Sequence, residues 1–148
     1  MYPFPSINQF RSVVKAVREQ AAYMGKNEAV EAISNPAPIY PKLQFTGTVK
    51  LHGTNAAIAF DGAGISYQSR ERVLTREQDN AGFMAHMEQH TDAILRLKQY
   101  VVEMHTDAKT IVIYGEWCGG NIQKGVAVCG LPKMFIVFGL KVNDQWEP

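Results

Sequence analysis

The fold is decided by one stretch, residues 50–69, which read KLHGTNAAIAFDGAGISYQS. The apolar run at 56–60 lies between a Gly-Thr-Asn turn and the sequence Asp-Gly-Ala-Gly at 61–64. Glycine and aspartate readily adopt the backbone conformations of a tight reversal, so residues 55–60 and 64–69 are predicted to form a β-hairpin. Because a hairpin joins antiparallel strands, the chain is expected to build an antiparallel sheet around it.

The sequence before the hairpin predicts a helix, a linker and more strand. Ser6 is a candidate N-cap for a helix that Gly25 would end. Apolar residues recur between them at steps of three and four: Ile7, Phe10, Val13, Val14, Val17 and Ala21. Three prolines in 34–41 remove backbone donors and predict a linker. From Lys42 the apolar period becomes two, through Leu43, Phe45, Val49 and Leu51, which predicts strands.

After the hairpin the pattern returns to a helix and then to strands. A second helix is predicted from Ala81 to His105, with Asp79 and Asn80 as candidate caps. Apolar, β-branched stretches at 109–117 and 133–142 predict strands. Strands and helices do not alternate strictly, so the predicted fold class is α+β, with mainly antiparallel sheets and flanking helices.

Composition excludes several classes of protein. The 148 residues carry 15 Lys+Arg against 14 Asp+Glu, so any nucleic-acid surface must be a local patch. There is no apolar run of about 18 residues and no signal-peptide pattern at the start, so we expect a protein of the cytoplasm with no membrane partner. Cys118 and Cys129 are too few for a disulfide framework or a structural zinc site, so reduced thiols are expected.

Residues suited to phosphate chemistry stand at the ends of the predicted strands. Lys50 places an amine where a turn enters the hairpin, and Arg70 follows the hairpin with a guanidinium suited to phosphate or ribose oxygens. Glu116 ends a strongly apolar strand, where an unpaired buried acid would be costly. Each also has an ordinary explanation, as a surface lysine, a charged edge or a strand end, and Phe135 and Phe138 could simply fill a core.

The order of these motifs is more specific than any one of them. Lys-x-His-Gly-Thr-Asn, an arginine, Tyr-Gly-Glu, Ile-Gln-Lys-Gly and Phe-x-x-Phe follow one another between about Phe4 and Val142. This order resembles the covalent nucleotidyltransferases, and most closely the phage-type RNA ligases of the RNA ligase 2 family. The resemblance implies an ATP-dependent RNA ligase that uses Mg²⁺, forms a lysyl-AMP intermediate, and activates RNA 5′-phosphate ends for joining to 3′-hydroxyl ends. A phage-encoded ligase would act in the host cytoplasm.

The resemblance also implies a role for each matching residue. Lys50 would be the nucleophile that attacks the α-phosphate of ATP. The implied nucleotide-binding residues are His52, Gly53, Asn55, Arg70, Glu116 and Phe138. Among these, Glu116 would engage the ribose or the metal, and Phe138 would stack on adenine. Lys124 would contact phosphate or RNA, and Gly139 stands where the family pattern leads us to expect an acid.

The chain departs from the family in lacking two later motifs, because it contains no Glu-Gly and no Lys-x-Lys sequence. We therefore expect one partial domain and a piece of a longer ligase. Its predicted parts are a helical segment 1–33, the linker 34–41 and a nucleotide-binding core 42–148. A naturally truncated product, or a module that binds adenine nucleotide or RNA without catalysis, is the alternative. An incomplete sheet edge would favour self-association.

Two further patterns have simpler explanations. His86 and His90 stand at the spacing of metal ligands on a helix, but no third ligand is evident, so a solvated helix face is predicted. Cys118 lies two residues from Glu116 without an identified base, so its placement is interpreted as incidental.

Overall fold

The protein is described by a computed structural model that covers residues 1–47 and 49–147, so Thr48 and Pro148 lie outside the described residues. The chain divides into two compact units, Pro5–Val49 and a larger unit that combines Met1–Phe4 with Lys50–Pro148. Among the described helices, none is long and apolar enough to cross a membrane. The three-part division of the domain stays a prediction.

The smaller unit contains one helix and a two-stranded sheet. Helix α1 spans Phe10–Ala22, and the antiparallel strands β1 and β2 span Tyr23–Lys26 and Ala32–Ser34. The helix begins later than predicted: Gln9, not Ser6, is the N-cap. Ile7 would have extended the apolar face of α1, but its side chain is 82% exposed.

The prediction of strands from Lys42 was wrong, because no strand is described between β2 and Thr54. The alternation of Leu43 and Phe45 has another cause. Both residues line a pocket together with Val14 and Val17 of α1, and the Phe45 and Phe10 ring centroids are 4.9 Å apart. An extended segment lying against a helix therefore gives the same period of two as a strand.

The larger unit is built on a five-stranded antiparallel sheet. Its strands are β3 (Thr54–Asp61), β4 (Gly64–Ser69), β5 (Ile111–Cys118), β6 (Met134–Val142) and β7 (Gln145–Glu147), in the spatial order β4-β3-β5-β6-β7. The predicted α+β class and the β3–β4 hairpin are confirmed. In the hairpin turn the Asp61 carboxylate accepts a hydrogen bond from the Ala63 N–H at 2.8 Å, and Gly64 has φ +115°.

The long helix predicted after the hairpin is two helices, α2 (Phe83–Glu88) and α3 (Thr91–Met104). His90, with φ −114°, lies outside helical geometry, and the Thr91 hydroxyl donates to the Glu88 carbonyl oxygen at 2.7 Å. Asp79 does act at the start of α2, since its carboxylate accepts hydrogen bonds from the N–H groups of Met84 and Ala85. A short 3₁₀ helix spans Ala127–Gly130.

The two faces of the sheet are covered differently. One face, here called the helix face, packs on α2 and α3; its core includes Ala56, Ile58, Ile113, Trp117, Phe83, Met87, Ile94 and Val101. The opposite face carries Ala57, Ala59, Val112 and Tyr114, against which Tyr2 and Phe4 pack. We call it the tail face because the N-terminal residues 1–4 lie on it.

Hydrogen bonds of Tyr2 fix the N-terminus to the tail face. The Tyr2 N–H donates to Gln68 Oε1 at 2.9 Å, and the Gln68 amide returns a bond to the Tyr2 carbonyl oxygen. The Tyr114 hydroxyl donates to the same carbonyl oxygen at 3.1 Å, and the Tyr2 hydroxyl donates to Asp61 at 2.7 Å. The N-terminal residues are thus part of the larger unit, which the sequence pattern did not predict.

Strand β7 was also missed. It follows a turn in which Asn143 and Asp144 have φ values of 47° and 68°, as in a type I′ hairpin turn. The Asn143 side chain secures this turn by accepting hydrogen bonds from the N–H groups of Lys109 and Thr110. The Asn-Asp pair was the sequence signal that could have predicted the β6–β7 hairpin.

Candidate active site

The sheet register brings the separated motifs to one end of the tail face. Asn55 of β3 pairs with Glu116 of β5, and Glu116 pairs with Ile136 of β6. Side chains alternate along a strand, so Asn55 and Glu116 share a face with Tyr114. Two motifs that are 61 residues apart in sequence (116 − 55) are therefore direct neighbours across the sheet.

Glu116 also holds the turn that follows Lys50. Its Oε1 atom accepts a hydrogen bond from the Gly53 N–H at 2.8 Å. Lys50 is three residues before Gly53, so the two Cα atoms are at most about 11 Å apart. Lys50 and His52 are exposed, whereas Gly53 is buried. Among the residues that the structure describes, the second oxygen of this carboxylate has no hydrogen-bond partner.

Gly53 is required by the close approach of β5. A Cβ atom at this position would lie 2.2 Å from the Trp117 carbonyl oxygen and 2.7 Å from the Cβ of Cys118. Cys118 is fully buried, and this burial, followed by the charge of Glu116, raises the pKa of its thiol. A thiol with a raised pKa is a poor nucleophile, which supports the interpretation of Cys118 as a packing residue.

Asn80 contacts the start of β3, which the sequence did not predict. Its side-chain amide donates to the Thr54 hydroxyl at 3.3 Å and to the Asn55 carbonyl oxygen at 3.4 Å. The next residue, Ala81, accepts at its carbonyl oxygen from Trp117 Nε1 at 3.2 Å and from Lys133 Nζ at 2.7 Å. The loop before α2 therefore secures the start of β3; the sequence had suggested only a cap for Asn80.

Arg70 lies at the same end of the sheet. Ser69, the last residue of β4, pairs with Ala56, so the chain leaves the sheet beside Asn55. The Ser69 hydroxyl accepts hydrogen bonds from the N–H groups of Glu71 and Arg72, which tightens the turn around Arg70. The Arg70 side chain is exposed and available to a ligand.

Phe138 is placed by an irregularity in β6. Tyr114 pairs with Gly139 and Gly115 pairs with Val137, so Phe138 is an extra residue in the register. Such bulges redirect side chains. The Phe138 ring is 49% exposed and contacts Phe4 on the tail face. By contrast, Phe135 packs against the core of the helix face, where its ring centroid is 5.0 Å from that of Phe83.

The loop that carries Lys124 is anchored to residues 129–131. Its backbone is anchored by hydrogen bonds from the Gly120 N–H to the Leu131 carbonyl oxygen and from the Asn121 N–H to that of Cys129. Asn121 and Gln123 both have positive φ values, 65° and 55°. Lys124 is exposed, and the contacts described for its loop do not bring it to Glu116.

Glu116 fits a magnesium site of one particular kind. Within residues 1–47 and 49–147 there is no group of three or more His, Cys, Asp or Glu side chains that could hold a metal ion. Mg²⁺ commonly keeps several waters and is bound through one or two carboxylates together with substrate phosphates. The second oxygen of Glu116 fits that arrangement, in which a nucleotide supplies most of the ligands.

The His86 and His90 rings stack on each other, with centroids 4.4 Å apart. His90 is exposed, as a solvated helix face requires, but His86 is half-buried and its ring centroid is 5.0 Å from that of Trp117. Burial, and then the charges of His90 and Lys133, lower the pKa of His86. The prediction of a solvated face was therefore wrong for His86.

The lowered pKa of His86 predicts a pH-dependent stability. Unfolding returns this imidazole to a pKa near 6.5, so the unfolded state binds the proton more tightly. We expect its contribution to be complete above about pH 6.5 and to be lost as the pH falls toward the lower pKa of the folded state. Urea unfolding is measured at pH 7.5 and 5.5. Between these pH values the free energy of unfolding should fall less in His86→Gln than in wild type. An unchanged pH dependence in His86→Gln would contradict the assignment, and His90→Gln should retain most of the loss.

Comparison with known proteins identifies a family for this chain. The family model for RNA ligase matches residues 43–147, which include all the motifs placed above. A search of curated proteins gave no match. Because the match covers more than two thirds of the chain, the chain belongs to the RNA ligase family.

Proposed function

We propose that this chain is the adenylyltransferase part of an ATP-dependent RNA ligase. In the proposed reaction the neutral Lys50 amine attacks the α-phosphorus of ATP. A nitrogen–phosphorus bond forms, the bond to the bridging oxygen of the β-phosphate breaks, and pyrophosphate leaves. The AMP then passes to an RNA 5′-phosphate end, and attack by a 3′-hydroxyl end joins the strands and releases AMP.

The observation that carries the proposal is the hydrogen bond between Glu116 and the Gly53 N–H. This bond joins the turn that follows Lys50 to Glu116 near the end of β5. A covalent nucleotidyltransferase would need both the lysine and the acid beside the same nucleotide. In-line attack depends on holding the nucleophile and nucleotide in a fixed relative position. One Glu116 oxygen holds the turn, and the other, which has no hydrogen-bond partner among the described residues, would engage a ribose hydroxyl or a Mg²⁺ ion.

The surroundings of Glu116 support a nucleotide on the tail face. Arg70 leaves the sheet beside Asn55 and would contact ribose or phosphate oxygens through its guanidinium. Phe138 offers an exposed ring on the same face for stacking with adenine. His52 and Lys124 are proposed to add contacts to the nucleotide and to phosphate or RNA. Mg²⁺, bound mainly by the ATP phosphates, would neutralise the charge that develops during transfer.

The proposal is tested by following two labels. The protein is incubated with Mg²⁺ and with ATP labelled at either the α- or the γ-phosphate, then denatured and separated from free nucleotide. We expect the α-label to stay on the protein and the γ-label to leave with pyrophosphate. The bound label should be released by acid and survive base, as a phosphoramidate does. Retention of neither label, together with no binding of ATP, would contradict the proposal.

The missing Glu-Gly and Lys-x-Lys motifs favour one other function for this chain by itself, a module that binds nucleotide without transfer. The same experiment separates the two. Binding of ATP by calorimetry with no covalent α-label would identify the non-catalytic module. A cytoplasmic location is proposed with either function, because Cys118 and Cys129 are free thiols.

We also propose that the open edge of β6 supports self-association. Among the described residues, β7 pairs only with Leu140–Val142, so residues 134–138 of β6 have a strand neighbour on one side alone. The side chains of Ile136, Val137 and Phe138 are 37%, 50% and 49% exposed. An uncharged, apolar edge tends to pair with another strand. Sedimentation velocity should show a concentration-dependent dimer that Val137→Lys abolishes; a monomer at all concentrations would contradict the proposal.

A further inference from the structure

Phe138 lies half exposed on the tail face beside Phe4. It is the extra residue of the β6 bulge. Among the described aromatic contacts its ring has one partner, Phe4, with centroids 5.1 Å apart and an interplanar angle of 77°. This edge-to-face contact restricts the orientation of the Phe138 ring while half of its side chain stays exposed.

Phe4 itself is held firmly. Its ring packs edge-on against Tyr114 at 5.3 Å and Trp146 at 5.4 Å, measured between centroids. Two residues earlier, Tyr2 is bound to the sheet through Gln68, Tyr114 and Asp61. Phe4 therefore connects the hydrogen-bonded N-terminal residues and the Tyr114 and Trp146 rings to the half-exposed Phe138 ring.

Gly139 provides the space for this cluster. A Cβ atom at Gly139 would lie 3.2 Å from the Trp146 ring and 3.8 Å from the Phe4 ring. A side chain at this position, such as the acid expected from the family resemblance, would crowd the Trp146 ring and contact the Phe4 ring. The glycine and the aromatic cluster beside it are thus one structural arrangement.

We propose that Phe4 is a positioning residue for the nucleotide site, which orients Phe138 so that its ring can stack on the adenine base. This inference rests on the proposed function, since it needs a base on Phe138. The N-terminal residues 1–4 would then form a wall of the nucleotide site. The ligand class is an adenine nucleotide, and the affinity for its base depends on residues far from Phe138 in sequence.

The test measures AMP binding by calorimetry at a temperature where every variant is folded, with Phe4→Ala, Phe4→Tyr and Phe10→Ala compared with wild type. Phe10 lies outside the larger unit and provides the same Phe→Ala change as a control. Loss of an edge-to-face pair should raise the Kd of Phe4→Ala about fivefold. Phe4→Tyr keeps the ring and should bind like wild type, as should Phe10→Ala.

A second measurement separates positioning from a general loss of structure. Trp146 contacts Phe4, so AMP binding should change the tryptophan fluorescence of the wild-type protein. The change should be absent in Trp146→Phe, in which the buried Trp117 is the remaining tryptophan. If Phe4 were merely structural, Phe4→Ala would lower the Tm and leave the Kd and this response unchanged. That result would overturn the inference while leaving the proposed function intact. Failure of wild type to bind AMP would overturn both.

Discussion

Lys50→Arg is expected to abolish the covalent attachment of AMP completely while the protein still binds ATP. The guanidinium keeps the positive charge and nearly the same length, but it stays protonated and has no lone pair available for attack on phosphorus. Lys50 is exposed at the end of its turn, so the substitution should leave the fold unchanged. Charge is thus retained, and only nucleophilicity is removed.

The measurement is the retention of α-phosphate label on denatured protein, with calorimetry to follow ATP binding. Lys109→Arg provides the matched control, because it makes the same change at an exposed lysine outside the proposed site. We expect the control to keep the label, and ATP affinity in Lys50→Arg to stay within about threefold of wild type, since surface ion pairs contribute little. Label on Lys50→Arg would show that another residue is the nucleophile, and its loss from Lys109→Arg would show that the effect of a lysine-to-arginine change is not specific to Lys50.

The sequence predicted those parts of the fold that depend on local signals. The β3–β4 hairpin follows from its turn residues, and strands β5 and β6 follow from unbroken apolar runs. The segment from Lys42 was mistaken for strands because its alternating side chains pack on a helix. A period of two reports which side chains are covered, and it does not report what covers them.

The candidate site shows the same limit. The motifs predicted which residues belong together, but the contact between Glu116 and the Gly53 N–H is set by strand register and is not visible in either motif. Asn80 and Phe4 were missed as site residues because their contacts are made across the fold, with Thr54 and Phe138 respectively. Nothing in the local pattern of either residue indicates such a partner.

Gly53→Ala is expected to have the second large effect, on both stability and AMP transfer. The added Cβ would lie 2.2 Å from the Trp117 carbonyl oxygen, a backbone atom that cannot move without displacing β5. Such overpacking, with weakening of the charge-assisted bond to Glu116, should lower the free energy of unfolding by about 3 kcal/mol. For a chain of this length that corresponds to a Tm lower by roughly 10 °C.

Gly62→Ala is the matched control, because Gly62 directly follows β3 and Gly53 directly precedes it. A Cβ at Gly62 meets nothing within 4 Å, so this variant should unfold and accept label like wild type. Gly53 both leaves space for β5 and donates its N–H to Glu116. Glu116→Ala separates these two effects, because it removes the hydrogen-bond acceptor and adds no clash. It should lose the label with a smaller drop in Tm than Gly53→Ala. Equal thermal unfolding of Gly53→Ala and Gly62→Ala would show that β5 does not approach Gly53 closely, and the turn carrying Lys50 would then lack its fixed position beside Glu116.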